Sequence, residues 1–378
     1  MKTTMQRLAA ALVLCVCAAV LAGCGRRDSP IERQNPLLEE VRVGIILPLT
    51  GLLGEMGNTE KQAIEMALSR TSSANVPRIR VLFEDGKGDN KTVVAAANKL
   101  ISIDKVRMLI TSTSGASMAA QPVAETFNIP LIAFCMDTEI ARKSPITIRH
   151  YLGLDEESNA IVRYLLGLPS HSRIAILHGA VSAWRQAVNT IYLPQLKTHF
   201  RHPILVEEYD LKERDFRPPL AKLKSAEVNV LVILGYGFEY GPLFSQMEEI
   251  GIRNSTEIVG GWGFLYTGLA SSQLDGIKVA GPRYVFEKGP KGSAFAEEFQ
   301  SRYGRPPNFD AAFAYELACN LPLIADVFLK HGPTRLKDEL VARGKFEGVF
   351  GPYRFSPEGN MITETAVGVY RNGQLVSF

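Results

Sequence analysis

Apolar and polar positions follow two alternating periods along most of the chain. Short, nearly continuous apolar runs such as 41–48 and 228–235 have the length and β-branched content of buried strands. The longer segments between such runs repeat apolar residues at three- and four-residue spacing, as in 91–103, which is the pattern of one helix face. Strands and helices that alternate in this way predict parallel sheets with helices on both faces.

The predicted elements form a long series of strand–helix units. Strands are predicted at 41–48, 79–84, 108–111, 130–134, 173–178, 204–209, 228–235 and 257–260. Helices are predicted at 91–103, 117–127, 157–166, 183–198, 216–225 and 242–250. An earlier helix is expected to begin at Thr59, because Thr59 and Gln62 have the spacing of a capping box. So many strands exceed one compact sheet, and the predicted fold class is α/β with two doubly wound parallel-sheet lobes.

The N-terminus has the composition of a secretory signal. Lys2 and Arg7 precede an apolar run over 8–22, and small residues lead to Cys24. The run is shorter than the roughly 20 residues that cross a bilayer. The segment 1–24 resembles a bacterial lipoprotein signal peptide, which implies that Cys24 is lipidated and becomes the N-terminal residue after cleavage. The alternative is an uncleaved anchor helix, and in both cases the chain is expected at the outer face of a membrane.

Composition after the signal narrows the class of protein. Residues 25–40 are polar and contain proline, which predicts a flexible tether. Lysine plus arginine exceed aspartate plus glutamate by three, 42 against 39, and the charges are interspersed, so nucleic acid is not expected as a partner. No second apolar segment is expected to approach spanning length. The folded part is therefore expected to be extracytoplasmic, in the periplasm or on the outer face of the cell membrane, and held there by its lipid anchor.

Neither a catalytic motif nor a metal-binding motif is recognisable in the sequence. Cys135 and Cys319 are the cysteines outside the signal, and they lack metal-ligand spacing with the six histidines. Two buried thiols are favoured for them over a disulfide, which the sequence leaves open. The glycines from Gly51 to Gly57 lack the lysine of a phosphate-binding loop, and no nucleophile elbow occurs. We therefore predict a non-enzymatic protein without a metal or a cofactor.

Four stretches together resemble a known family. They are 45–51 with the glycines that follow it, 83–90, 110–115 through to 129–132, and 346–351 near the C-terminus. In their order and spacing they are similar to the periplasmic solute-binding proteins of the leucine/isoleucine/valine type, in lipoprotein form, which are the extracellular receptors of ABC importers. The resemblance runs from about Val41 to Phe378.

This resemblance implies a type I periplasmic binding protein-like fold, with two lobes between which the chain crosses three times. Lobe 1 would comprise 41–149 and 283–348, and lobe 2 would comprise 150–282 and 349–378. The lobes would close by hinge bending on a ligand in the cleft. The implied function is capture of an amino acid, or a similar small carboxylate or amide, for an ABC permease in the cytoplasmic membrane. A receptor component for a membrane sensor and a non-transport envelope scaffold are the alternatives.

Ligands of open parallel sheets bind outside the carboxyl ends of the strands, which directs attention to the loops there. Ser114 lies between a strand and a helix, where a hydroxyl beside free N–H groups favours a carboxylate. The family's ligand-binding serine matches Ser114; the alternative is that Ser114 or Ser117 only caps the helix. Cys135, Asp137 and Thr138 follow the next strand, where the resemblance implies contacts to a ligand's amino group. Asp137 alternatively caps a turn.

Bulky side chains complete the implied ligand site. Met56 stands where the family often has an aromatic residue that stacks on the ligand. Trp184, or Ala183, matches a family tyrosine on the second lobe, and Tyr236 or Tyr240 would lie on the facing loop. Ordinary packing within the lobe is the alternative role for these aromatic residues.

Trp262 marks a departure from the family pattern. The branched-chain receptors carry an acidic residue near this position to neutralise the ligand's ammonium, whereas this chain has tryptophan. A buried ammonium without a counter-charge is unfavourable. Either Asp137 or, less favoured, Glu239 supplies the charge, or the ligand has no ammonium group.

Overall fold

The computed structural model describes residues 40–70 and 76–377. The predicted signal peptide with Cys24, and residues 25–39 of the predicted tether, lie outside the described residues. The strands are β1 (Glu40–Leu47), β2 (Arg78–Asp85), β3 (Met108–Ser112), β4 (Leu131–Phe134), β5 (Thr147–Arg149), β6 (Ile174–Gly179), β7 (Leu205–Tyr209), β8 (Val230–Leu234), β9 (Glu257–Gly260), β10 (Lys278–Pro282), β11 (Lys345–Gly348), β12 (Gly351–Phe355), β13 (Met361–Thr363), β14 (Thr365–Arg371) and β15 (Gln374–Ser377).

Helices occupy most of the connections between these strands. The α-helices are α1 (Gly54–Leu68), α2 (Asn90–Ser102), α3 (Ser114–Thr126), α4 (Glu139–Arg142), α5 (Leu154–Leu166), α6 (Ser182–Ala187), α7 (Leu193–Leu196), α8 (Arg217–Ser225), α9 (Tyr240–Ile250), α10 (Ser271–Leu274), α11 (Pro290–Tyr303), α12 (Phe309–His331) and α13 (Leu336–Ala342). A π-helical turn, Val188–Tyr192, joins α6 to α7, and a short 3-10 turn, Trp262–Leu265, follows β9.

The first sheet has five parallel strands in the order β2–β1–β3–β4–β5. Alternate residues of β1 pack on opposite faces: Val43 and Ile45 belong to the large core cluster shared with α1, whereas Ile46 packs in a separate cluster with residues of α2 and α3. Helices on both faces explain why β1 is apolar at the consecutive positions 45–47, and β3 at 108–110, rather than only at alternate ones.

The second sheet has seven strands in the order β15–β14–β10–β9–β8–β6–β7. The five strands from β10 to β7 are parallel, and β14 and β15 extend the sheet in antiparallel pairing. A further sheet, β11–β12–β13, is small and antiparallel. The predicted α/β class with two doubly wound parallel sheets is therefore confirmed, with an antiparallel edge that the strand–helix pattern did not predict.

The chain passes between the two sheets three times. It leaves the first sheet after β5, and it leaves the second sheet after β10. The returning helices pack against α1: the Tyr303 hydroxyl of α11 donates to the Gln62 carbonyl oxygen at 2.8 Å, and Arg305 donates to the Thr59 hydroxyl at 2.6 Å. The chain then enters the second sheet again at β14. The residue bounds of the two lobes stay a prediction.

The helices that begin earlier than the sequence predicted include α1 and α3. α1 begins at Gly54, not at Thr59, because the Thr59 hydroxyl donates to the Glu55 carbonyl oxygen within the helix at 2.8 Å instead of capping its start. α3 begins at Ser114, not at Ser117. Helix α4 and strand β5 were not predicted at all, since each is only three or four residues long and too short for a periodic pattern.

The long helix α12 passes through the core. It is, among the described residues, the one helix long and apolar enough to cross a membrane, with a mean hydropathy of 1.4 in its most apolar window. The expectation that no second segment approaches spanning length was therefore wrong as to length and composition. That window is 72% buried inside the protein, and such burial is typical of the core helix of a globular fold.

The two cysteines outside the signal are free thiols. Cys135 is buried and Cys319 is exposed, and they form no disulfide. The expectation of two buried thiols was therefore right for Cys135 and wrong for Cys319. Cys319 lies on α12 at a position where this otherwise buried helix reaches the surface.

Candidate functional site

A cavity lies at the carboxyl ends of strands from both sheets. The space between its lining residues is about 530 Å³, including solvent at its mouth. Residues from the first-sheet side and the second-sheet side face each other across it. Its lining comprises Met56, Glu60, Ser112, Thr113, Ser114, Phe134, Cys135, Met136, Tyr151, Leu154, Val181, Ala183, Trp184, Tyr236 and Trp262.

The start of α3 forms a polar part of the cavity wall. Thr113, at the end of β3, caps the helix by accepting a hydrogen bond from the Ala116 N–H at 3.3 Å. Thr113 has φ 79°, an unfavourable backbone conformation for a β-branched residue and one that concentrates at functional sites. The Ser117 hydroxyl already has a hydrogen-bond partner within the helix, since it donates to the Thr113 carbonyl oxygen at 2.8 Å.

Ser114 is therefore free of the capping role that was its alternative. Its hydroxyl makes no hydrogen bond within the described residues, and Ser114 lines the cavity as the first residue of α3. The N–H groups of a helix's first turn have no partner inside the helix. They and the positive end of the helix dipole favour an anion. This part of the cavity wall can accept a ligand carboxylate.

The loop after β4 contributes an apolar wall. Phe134, Cys135 and Met136 line the cavity, and burial raises the pKa of the Cys135 thiol to about 11, so the thiol stays neutral. The structure does not bring Asp137 and Thr138 to the cavity. Asp137 accepts a hydrogen bond from the Glu139 N–H at 3.0 Å, which is the turn-capping geometry that had been its alternative role.

Thr138 lies in the same turn as Asp137. Its hydroxyl donates to the Asp155 carboxylate at 3.0 Å, and its carbonyl oxygen accepts from the Asn360 side chain at 3.1 Å. These bonds tie the turn to α5 and to the segment before β13. Thr138 therefore has structural partners on both sides and is separated from the cavity.

Three aromatic side chains form the wall on the side of the second sheet. The Tyr236 ring lies edge-to-face between Trp184 and Trp262, with ring centroids 5.1 and 5.4 Å apart. All three line the cavity, and Met56 of α1 faces them. Of the eight residues proposed from the sequence for ligand binding, the structure gathers six here: Met56, Ser114, Cys135, Trp184, Tyr236 and Trp262.

Buried carboxyl groups hold this aromatic wall in place. Glu157 of α5 accepts the Trp262 backbone N–H at 2.8 Å, and Glu239 accepts the Tyr236 backbone N–H at 2.9 Å. Gly261 is required for the first contact, since a Cβ there would lie 2.4 Å from the Glu157 carboxyl. Burial raises the pKa of Glu157 to about 8, which keeps it protonated at neutral pH.

Glu60 is a cavity residue that the sequence analysis missed. The Ser112 hydroxyl donates to its Oε1 at 3.0 Å, and its Oε2 makes no hydrogen bond within the described residues. The side chain is 1% exposed. Burial, and secondly the neighbouring Asp310 carboxyl, raises the pKa of Glu60 well above its usual range. The pattern that would have found it is its i, i+4 spacing from Met56 on one helix face.

Asp310 lies behind this wall as a second buried carboxyl. The hydroxyl groups of Tyr151 and Tyr266 both donate to it. Burial raises the pKa of Asp310, and these two hydrogen bonds limit the rise. Of the two neighbouring carboxyls, Glu60 therefore holds a proton more firmly, because it receives one hydrogen bond and Asp310 receives two.

A wider groove adjoins the cavity. It measures about 1030 Å³ with the solvent that it holds, and it shares Met56, Tyr236 and Trp262 with the cavity. Arg305 and Asn308 line its far side. These three shared side chains thus stand between the inner cavity and the groove. Within residues 40–70 and 76–377, no cluster of three or more metal-ligating side chains is placed to hold a metal ion.

Two α/β sheets with an aromatic cavity at their carboxyl ends define a ligand-binding protein of the two-lobed type. The sequence profile of the periplasmic binding protein family matches residues 40–374, and the chain belongs to this family. It is an extracytoplasmic solute-binding protein. Because members of this family bind solutes and are not enzymes, the sequence-based conclusion of a non-enzymatic protein agrees with this membership.

Individual relatives are similar along nearly their whole length. The Leu/Ile/Val-binding protein homolog 2 of Brucella abortus is 24% identical over 356 residues, which cover 92% of this chain and 91% of the relative. The isoleucine complex of a branched-chain amino acid transporter substrate-binding protein from Streptococcus pneumoniae has a TM-score of 0.74 and 21% identity, covering 89% of this chain and 98% of that one.

A third relative has a different kind of ligand. The solute-binding protein of an ABC transporter from Rhodopseudomonas palustris, in complex with 3,4-dihydroxybenzoic acid, has a TM-score of 0.76 and 20% identity. The match covers 90% of this chain and 96% of that protein. These structural similarities establish the fold as that of the type I periplasmic binding proteins.

Proposed function

We propose that this protein is the ligand-capture component of an ABC importer and that it binds a small carboxylate in the cavity between the two sheets. The observation that carries the proposal is the start of α3, where Ser114, whose hydroxyl has no partner within the described residues, lines the cavity together with an aromatic wall. A carboxylate is the small anion that such donors fit.

The apolar remainder of the cavity suits the body of the ligand. Trp184, Tyr236 and Phe134 offer ring faces and edges, and Met56 supplies an adaptable thioether. The relatives with named ligands support the same class, since isoleucine and 3,4-dihydroxybenzoic acid both combine a carboxyl group with an apolar or aromatic body. The cavity carries no described cation on its lining, so the anion is held by neutral donors.

Capture by hinge closure accounts for contacts between the two sides of the cavity. Lobe 1 would consist of 41–149 and 283–348, and lobe 2 of 150–282 and 349–378. The Tyr266 hydroxyl, from the loop after β9, donates to Asp310 of α12. This bond joins the two lobes at the edge of the cavity, and closure of this kind encloses a ligand.

The same proposal includes a membrane anchor and a permease partner. A lipid on Cys24, with 25–40 as a tether, would keep the binding protein near the membrane and raise its effective concentration at the permease. Mass spectrometry of the protein from membranes of its host would identify the anchor. A peptide that begins at Cys24 and carries acyl chains supports it, and an unmodified Cys24 contradicts it.

Calorimetric titration of the Ser114→Ala variant tests the carboxylate site. Loss of one hydrogen bond to a charged group corresponds to roughly 1.5–3 kcal/mol, so affinity for a bound carboxylate is expected to fall about 10- to 100-fold. Ser102→Ala, on the exposed face of α2, is the matched control and leaves affinity unchanged. Equal affinities for wild type and Ser114→Ala would show that the carboxylate binds elsewhere.

A further inference from the structure

Glu60 reaches the cavity because α1 packs closely against the loop that follows β1. A Cβ at Gly57 would lie 2.3 Å from the Pro48 carbonyl oxygen, so glycine is needed for this approach. The close packing directs the helix face with Met56 and Glu60 toward the end of β3, where Ser112 binds the carboxyl. Two elements of the first sheet therefore hold Glu60 in the cavity wall.

The Glu60 carboxyl is only half satisfied. Its Oε1 accepts the Ser112 hydroxyl at 3.0 Å, whereas Oε2 has no partner within the described residues. The side chain is 1% exposed, so bulk water does not supply the missing partner. Buried polar atoms in native proteins are nearly always paired. An unpaired oxygen on the wall of a ligand cavity points to a partner on the ligand.

The charged side chains of Asp310 and Arg305 near Glu60 form hydrogen bonds with other residues and not with Glu60. Asp310 accepts the hydroxyl groups of Tyr151 and Tyr266. Arg305 donates to Thr59 and to another residue of α1, and it does not donate to Glu60. Burial and the Asp310 charge raise the pKa of Glu60 well above its usual range. Both effects favour the neutral form of this carboxyl, whose O–H needs an acceptor.

A second unpaired polar group belongs to a residue that lines the same cavity. The Trp262 Nε1–H has no acceptor within the described residues, and the side chain is 7% exposed. An indole N–H only donates. Glu60 and Trp262 therefore both require lone pairs from the ligand. An ammonium or methyl group has none, whereas a hydroxyl has lone pairs to accept with and a proton to donate.

We propose that Glu60 is a ligand-binding residue and that the ligand carries a hydroxyl group in addition to its carboxylate. The proposal rests on the proposed function, because Ser114 is assigned the carboxylate there. The ligand class becomes a hydroxylated small carboxylate with an apolar or aromatic body. Glu60 sets this preference from the first sheet, on the opposite side of the cavity from Trp262.

Calorimetry with matched ligand pairs tests the proposal on the wild-type protein. The pairs are 3,4-dihydroxybenzoate with benzoate and 4-hydroxyphenylacetate with phenylacetate, whose members differ only in hydroxyl groups. A site built to bind a hydroxyl discriminates strongly against the analogue that lacks it. In at least one pair the hydroxylated acid is expected to bind at least about tenfold more tightly than its partner.

The Glu60→Leu variant then assigns the preference to this residue. It is expected to reduce affinity for the preferred hydroxylated acid at least about tenfold and to change affinity for its unhydroxylated partner less than about threefold. Glu65→Leu, at an exposed position of the same helix, is the control and leaves both affinities unchanged. If Glu60→Leu does not fold, the same titrations are made with Glu60→Gln. The comparison of hydroxylated and unhydroxylated acids on the wild-type protein tests the hydroxyl preference without any variant.

The outcomes separate this proposal from the proposed function. Equal affinity within both pairs, or an equal loss for both members of a pair in Glu60→Leu, overturns the role of Glu60 and leaves carboxylate binding intact. Failure of all four acids and of isoleucine to bind to folded wild-type protein overturns the proposed function itself. A hydroxyl preference that disappears in Glu60→Leu supports both.

Discussion

Glu157 fixes the position of Trp262 through a single hydrogen bond, and it does so as a neutral acid. Its carboxyl accepts a hydrogen bond from the Trp262 backbone N–H at 2.8 Å and is fully buried. Burial raises the pKa of Glu157 to about 8 in the folded protein, from about 4.5 when exposed. A raised pKa of the folded state means that protonation favours folding. The associated stability is complete below about pH 4.5 and is lost as the pH rises through about 8.

The Glu157→Gln variant is expected to remove this pH dependence. Glutamine keeps the acceptor for the Trp262 N–H but does not ionise. The variant should match wild type near pH 5 and exceed its free energy of unfolding at pH 8.5 by roughly 2–5 kcal/mol, since each pKa unit corresponds to about 1.4 kcal/mol. Urea unfolding at several pH values measures it, with the exposed Glu125→Gln as control. A constant difference between variant and wild type across this range would contradict the assignment.

Individual residues also show where sequence reasoning reached its limit. Ser114, Trp184 and Trp262 could be proposed because they follow strands, and the carboxyl ends of parallel strands gather in one place. Glu60 could not be, because Thr59–Gln62 has capping-box spacing and was taken as the helix start. Once α1 is known to begin at Gly54, Glu60 lies in its second turn, one turn after Met56.

Arg149 connects elements at the point where the chain leaves the first sheet. Its guanidinium donates to the Asn360 side chain at 2.7 Å, to the Met361 carbonyl oxygen at 2.8 Å and to the Cys135 carbonyl oxygen at 3.3 Å. It is fully buried. One side chain thus joins β5, the cavity loop after β4 and the start of β13. Because its partners are distant in sequence, no local pattern predicts this connection.

Replacing Arg149 is expected to destabilise the fold. Arg149→Met leaves several buried acceptors unpaired and should lower the free energy of unfolding by about 3 kcal/mol or more. Arg149→Lys keeps the charge but cannot reach acceptors in three directions, and an intermediate loss is expected. Chemical denaturation measures both variants against Arg371→Met, an exposed control on β14. A loss below about 1 kcal/mol in Arg149→Met would show that these hydrogen bonds contribute little.

Up to β9 the longer periodic elements were predicted and the shortest were not, and the long helices α11 and α12 that follow were not predicted. The strands from β1 to β9, except β5, were found to within a few residues, because apolar runs bounded by turns specify them. α4 and β5 have too few residues to form a pattern, and the antiparallel pairing of β14 with β10 depends on contacts between segments almost a hundred residues apart. The start of α3 moved because Thr113, and not the expected serine, caps the helix.

For the whole molecule, two sheets place their carboxyl ends around one shared cavity. Thr113 and Ser114 approach from the first sheet, and Trp184, Tyr236 and Trp262 from the second, so no single lobe would contain the complete site. The outer groove, which Arg305 lines, adjoins the cavity at Met56. Under the proposed function, a site divided between lobes would couple binding to lobe closure. This coupling would let a transport partner distinguish the loaded from the empty protein.

Tryptophan fluorescence tests the central claim most directly, because the chain has two tryptophans and both line the cavity. We expect titration with the five compounds, isoleucine and the two pairs of aromatic acids, to change the emission in a saturable 1:1 manner for at least one. The midpoint should shift to about 10- to 100-fold higher concentration in Ser114→Ala. Two results would contradict a carboxylate site between the two sheets. One is that none of the five compounds changes the emission of the folded protein, and the other is that Ser114→Ala leaves the titration midpoint unchanged.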